Sequence, residues 1–164
     1  MILTFIFSWD DIFRSVKQES SLLAERKVDT AGNSLFNQLV FDEEYEILFK
    51  KLFLEAQAYI DDVVSAYNKG IPVDADYLET QDFSKERDYI IQLNMPQSFM
   101  IQASKAADIK IKQFLVDYIM YVWLRTKLPN EAEIYSIAAQ TLLPEIKSLL
   151  ERRSRNPELK GRWF

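Results

Sequence analysis

The sequence has no histidine and no cysteine in 164 residues, and only three glycines. Without histidine, the commonest general base and the commonest metal-binding side chain are missing. Without cysteine there is no disulfide, thiolate metal site or thiol nucleophile, which fits a reducing compartment. The scarce glycine forms no Gly-rich phosphate loop and no nucleophile elbow. Bundle-type di-iron sites, built on Glu-x-x-His pairs, are closed for the same lack of histidine. Nor is there a membrane span. The most apolar stretch, Phe114 to Leu124, is eleven residues long, with Asp117 its one charge, too short to cross a bilayer. The first seven residues are apolar, but no Lys or Arg precedes them, and the run stops at Asp10-Asp11 without a small-residue cleavage site. They read as an ordered arm or the lead-in to a first helix rather than an export signal. These absences favour binding or assembly over chemistry, with no cofactor expected.

What is present is apolar and aromatic. Hydrophobic residues make up 48% of the chain, with eleven Phe, eight Tyr and three Trp. That is too rich for disorder and suits one domain with a core and a sticky surface. The net charge of −5 is uneven. Residues 151–164 hold five cations against two anions, +3, which leaves −8 on the first 150 residues. An acidic body repels nucleic acid, so no sequence-specific nucleic-acid binding is expected.

The patterning predicts a mainly α fold: a bundle of about four helices, one short β segment, and extended N- and C-terminal arms. Residues 1–153 form one domain, with 1–8 as an arm and 71–96 as a loop plus strand; 154–164 form a basic, aromatic tail. A first helix runs from about Trp9 to about Lys27, opened by Ser8 and Asp11 in a capping-box-like spacing, and 29–34 (DTAGNS) is a turn. A second helix spans about 42–68, capped by Asp42 and led by Glu43, Glu44 and Glu46. Its inward face is read as Tyr45, Leu48, Phe49, Leu52, Ala56, Tyr59, Ile60, Val63 and Tyr67. Residues 88–95 alternate, with Tyr89, Ile91, Leu93 and Met95 on one side, and predict a strand ended by Pro96. It must pair with the N-terminal arm or with another subunit. A third helix covers about 97–127 and is either a buried centre or an oligomer interface. The fourth runs from Pro129 to about Arg153, with Ile134, Ile137, Ala138, Leu142, Ile146, Leu149 and Leu150 inward and a kink or split at Pro144.

Each acidic cluster has a plain reading. Asp74, Asp76, Glu79 and Asp82 lack the central glycine of a calcium loop and read as a solvated loop. Asp61-Asp62 and the acids of 42–46 do not converge as paired catalytic carboxylates should; helix dipole and solvation account for them. Asp117, inside the apolar stretch, should pair with a Lys or Arg across an interface or be satisfied in the core. Phe114, Tyr118, Tyr121 and Trp123 are the candidate oligomer interface. Arg152, Arg153, Arg155, Arg162, Trp163 and Phe164 are a candidate docking tail. Burying its two terminal aromatics in a neighbour would contribute about 2–3 kcal/mol each.

Over about residues 40–155, the segments YIIQLNMP, VDYIMYVWL and LLERRSR resemble the small helical head–tail connector, or neck, subunits of tailed bacteriophages and prophages. That resemblance implies a non-enzymatic virion component assembled in the bacterial host cytoplasm. It would be a homo-oligomeric ring whose partners are adjacent virion proteins, on the portal or the tail side. DNA would pass through an acidic lumen without sticking. The alternative is a soluble intracellular helical adaptor or regulator that binds one protein partner. An enzyme using carboxylates and lysine ranks third.

Overall fold

The computed structural model describes residues 1–68 and 88–154. In chain order the elements are β1 (Ile2–Phe7), α1 (Trp9–Ala24), a short α2 (Phe36–Leu39), a 3₁₀ turn (Glu43–Tyr45) that leads into α3 (Glu46–Val64), β2 (Tyr89–Asn94), α4 (Gln102–Leu124) and α5 (Pro129–Leu150). The fold is mainly α, and the described residues form four long helices and a two-stranded antiparallel sheet. The acidic loop around Asp74 to Asp82 lies outside the described residues.

The alternation in residues 89–94 has its physical counterpart: Tyr89, Ile91 and Leu93 are buried while Ile90, Gln92 and Asn94 face out. The partner is the N-terminal arm of the same chain. β1 and β2 pair without a bulge, from Ile2 opposite Asn94 to Phe7 opposite Tyr89. Phe5 and Phe7 join β2's inner row over the helices. β1 leads straight into α1, and Asp88, just before β2, reaches back to cap it: the Trp9 N–H donates to Asp88 Oδ1 at 3.0 Å. The expected cap, Ser8, makes no side-chain bond to the helix.

Other local rules hold. Asp29 closes the 29–34 turn by accepting from the Ala31 and Asn33 amides, both at 2.8 Å. Gly32 sits there at φ +82°, where a side chain would be strained. The Asp42 side chain accepts from the Glu44 amide at 3.1 Å. Lys50 pairs with Glu46 one turn away. Pro129 opens α5, where its missing N–H is harmless.

α4 is the central helix and packs against α1, α3 and α5. It forms an antiparallel hairpin with α5, tied at the far end by Lys110 and Glu145 at 2.5 Å. A chain of aromatic contacts binds the elements: Trp9 to Phe13 at 5.2 Å, Phe13 to Phe49 at 5.0 Å, Phe49 to Phe41 at 6.1 Å and Phe41 to Trp123 at 4.7 Å. Phe41 belongs to a segment, Leu35 to Phe41, to which the sequence reading gives no role. It is fully buried, and its amide donates to the buried Ser20 Oγ at 2.8 Å.

Three expectations need correction. On α3 the core face is Phe49, Leu52, Phe53, Ala56, Ile60 and Val64, whereas Leu48 and Tyr59 are exposed. On α5, Ile134 and Ile137 are exposed: in those turns the inward positions are Ala132 and Ala139, flanked by Tyr135, which donates to Glu19 of α1, and Glu131, which pairs with Lys27. Finally, of the kink or split expected at Pro144 the split does not occur, since α5 runs through that position as one helix. No helix among the described residues is long and apolar enough to cross a membrane.

Candidate protein-binding surface

The four residues singled out on α4 do not share one surface. Phe114 and Trp123 are 2% and 5% exposed and belong to the monomer's own core. Trp123 donates its indole N–H to the Leu39 carbonyl at 2.8 Å, and its ring lies edge-on to Tyr45 at 4.6 Å. Lys127 closes over the same ring, 2.8 Å from its centroid, and donates to the Gln38 carbonyl. Burial there pushes the Lys127 pKa down to about 8. These contacts within the chain use up two of the proposed interface residues.

Tyr118 and Tyr121 remain half-buried at the surface, and α3 adds a third tyrosine, one whose helical spacing predicts an inward position. Tyr59, 49% exposed, lies 5.2 Å from Tyr118, ring to ring, and Tyr118 lies 6.4 Å from Tyr121. Phe114 is the floor, 6.3 Å from Tyr59 and 6.1 Å from Tyr118. The Tyr118 hydroxyl approaches Glu55 Oε2 at 3.4 Å. Desolvation, then the neighbouring Tyr59 and Glu55, raise its pKa, so it stays a neutral donor. On α3, Leu48, Glu55 and Tyr59 share one helix face by spacing, and Leu48 is also exposed. The result is an aromatic seam along the α3–α4 groove. Each tyrosine offers an apolar face and a polar tip, the composition that anchors protein interfaces.

Among the described residues the acidic groups are spread over separate contacts. Glu43 pairs with Lys17 and Glu46 with Lys50. Asp61 accepts from the Tyr89 hydroxyl at 2.6 Å, joining α3 to β2, and burial raises its pKa; Asp62 faces out. Among the described residues no three potential metal ligands converge. Trp9, Asp10, Phe13, Arg14, Lys17, Glu43 and Glu46 line a surface cleft of about 360 Å³. Its charges are paired within it or beside it, Arg14 with Asp10 and Lys17 with Glu43.

Asp117 departs from the expectation of a satisfied core group. It is 8% exposed, and its Oδ2 has no hydrogen-bond partner among the described residues. Its charged neighbour is not a cation but Glu19. Burial first, and Glu19 second, raise its pKa to about 6.

In the basic segment, Arg152 and Arg153 are exposed, while the main chain of 152–154 is laid against 98–100. Met100 N donates to Arg152 O at 3.2 Å and Ser154 N to Ser98 O at 2.7 Å. Arg155, Arg162, Trp163 and Phe164 lie outside the described residues. Comparison with protein-family models, with curated proteins and with solved structures finds no match in any of the three.

Proposed function

We propose that this chain is a non-enzymatic assembly subunit of a tailed-phage particle, a component of the ring-shaped neck between head and tail. It would act in the virion after assembly in the host cytoplasm. The observation that supports it is the tyrosine seam. Tyr59, Tyr118 and Tyr121 form a contiguous aromatic strip on a rigid two-helix platform. Rigid aromatic anchors of this kind concentrate binding energy in few residues. In a ring, the strip on one subunit docks against a different face of the next, and the basic segment that starts at Arg152 meets the acidic body of a neighbour. Replacing Tyr59 and Tyr121 with serine tests this. Both are partly exposed, so thermal unfolding should stay within about 3 °C of the unaltered chain while self-association weakens at least tenfold. Association unchanged by the double substitution contradicts the reading.

A second reading rests on one specific observation. The features that looked unfinished in the sequence, the lone strand and the apolar excess of α4, are completed inside the single chain by β1 and by the core. A monomeric adaptor that offers the same seam to one protein partner fits that completeness. Capture of one partner by a protein that stays monomeric would favour it over the ring.

A further inference from the structure

We infer that the free edge of β1 is a self-pairing site, at which a second copy of the chain adds its own β1 to make a continuous four-stranded sheet. The argument begins with the hydrogen bonds. Met95 N donates to Met1 O at 2.8 Å, and Met1 N donates to Met95 O at 2.9 Å, so these two residues form a bonded pair. Bonded and non-bonded pairs alternate along an antiparallel ladder. With the observed register, Leu3, Phe5 and Phe7 therefore bond across to Leu93, Ile91 and Tyr89. The N–H and C=O groups of Ile2, Thr4 and Ile6 point the other way, to the outer edge. Among the described residues the sheet has no third strand.

That edge lacks the usual protection. β1 carries no charge, no proline and no bulge, the devices by which edge strands avoid pairing. Its outward side chains are apolar and exposed, Ile2 at 58% and Ile6 at 62%, beside Ile90 of β2 at 50%.

The strand is also complementary to itself. Set two copies antiparallel about a two-fold axis through Thr4. Thr4 then faces Thr4, Ile2 faces Ile6 of the second copy, and Leu3 faces Phe5. Edge-pointing residues meet edge-pointing residues, so Thr4 with Thr4, Ile2 with Ile6 and Ile6 with Ile2 exchange main-chain bonds, and Leu3 opposite Phe5 is a non-bonded pair. The outer row becomes Ile90, Ile6 and Ile2 of the second copy on one half, mirrored on the other. Two-fold registers centred on Leu3 or Phe5 leave part of this set unpaired. The inference stands apart from the use of the tyrosine seam, since it joins two subunits about a two-fold axis by different residues.

The absence of native cysteine makes the test clean. In the Thr4-centred pairing the two Thr4 Cα atoms lie about 5.5 Å apart, within the disulfide range of about 4.4–6.8 Å. The two Ile6 positions lie about 14 Å apart, four residues along the strand. Mild oxidation of the full-length Thr4→Cys protein should therefore give a covalent dimer, and Ile6→Cys should not. An equimolar mixture of Ile2→Cys and Ile6→Cys proteins should cross-link as a mixed pair. Thr4→Pro removes an N–H that points to the edge and no bond to β2, a placement edge strands tolerate. It should weaken dimerisation at least tenfold with the cooperative unfolding retained. No covalent dimer from Thr4→Cys, equal cross-linking through Ile6→Cys, or a dimer unaffected by Thr4→Pro in a folded protein would each overturn the inference.

Discussion

At the residue scale, the departures from simple burial rules are polar. Asp117 sits in the most apolar stretch of the chain, facing α1 and α5 without a cation. Folding lifts its pKa from 3.8 to about 6, so the folded state holds the proton more tightly than the unfolded one. Its contribution is therefore most favourable below about pH 4 and is lost as pH rises through about 6. The full shift corresponds to about 3 kcal/mol; partial access of water reduces the expected effect to about 1–2 kcal/mol. Asp117→Asn should stabilise the protein by that amount at pH 7 in urea unfolding, and the gain should vanish towards pH 4. A gain independent of pH would show that charge is not the cause. The sequence marks Asp117 by its isolation among apolar neighbours, but it does not carry the environment. Glu19 lies far away in the chain, and only the packing of α1 on α4 brings it near. The same holds for Trp123, whose partners Leu39 and Phe41 come from a segment without periodicity.

At the element scale, what was legible in the sequence is what short-range rules govern. The strand at 89–94 shows in a period of two, the 3₁₀ turn that leads into α3 in Asp42 and its following acids, and the start of α5 in Pro129. What was not legible depends on neighbours. On α3 nearly every position on two adjacent faces is apolar, so spacing alone cannot say that Phe53 and Val64 turn inward while Leu48 and Tyr59 turn out. On α5 the small Ala132 and Ala139 take the inward positions, flanked by Tyr135 and Glu131 with polar partners in Glu19 and Lys27, and Ile134 and Ile137 face solvent. The cap of α1 likewise comes from outside its own sequence. Replacing Asp88 by alanine should destabilise the protein by about 1 kcal/mol in chemical denaturation, as for other lost N-caps. Ser8→Ala, which touches no cap bond, should leave stability within about 0.5 kcal/mol. Equal effects of the two substitutions would contradict the cross-chain cap.

At the scale of the whole molecule, the sequence's apparent surplus divides in two. Most of it is consumed within the chain: β1 completes the sheet, and α4 is covered by α1, α3 and α5. The remainder includes the tyrosine seam and the outer side of β1, alongside single exposed apolar residues on the helices such as Ile47, Ile109, Ile134 and Ile137. Two such surfaces are what the proposed assembly role would use. The neck-ring reading makes the strongest claim about that assembly, because a closed ring requires head-to-tail contacts between unlike faces. The two-fold pairing of β1 alone stops at two copies. Electron microscopy of the purified full-length chain, alone and mixed with portal rings, decides between these outcomes. The account predicts closed rings of a single diameter that disappear when Tyr59 and Tyr121 are both replaced by serine. Fields that hold no particle larger than a dimer, with or without the portal, would contradict it.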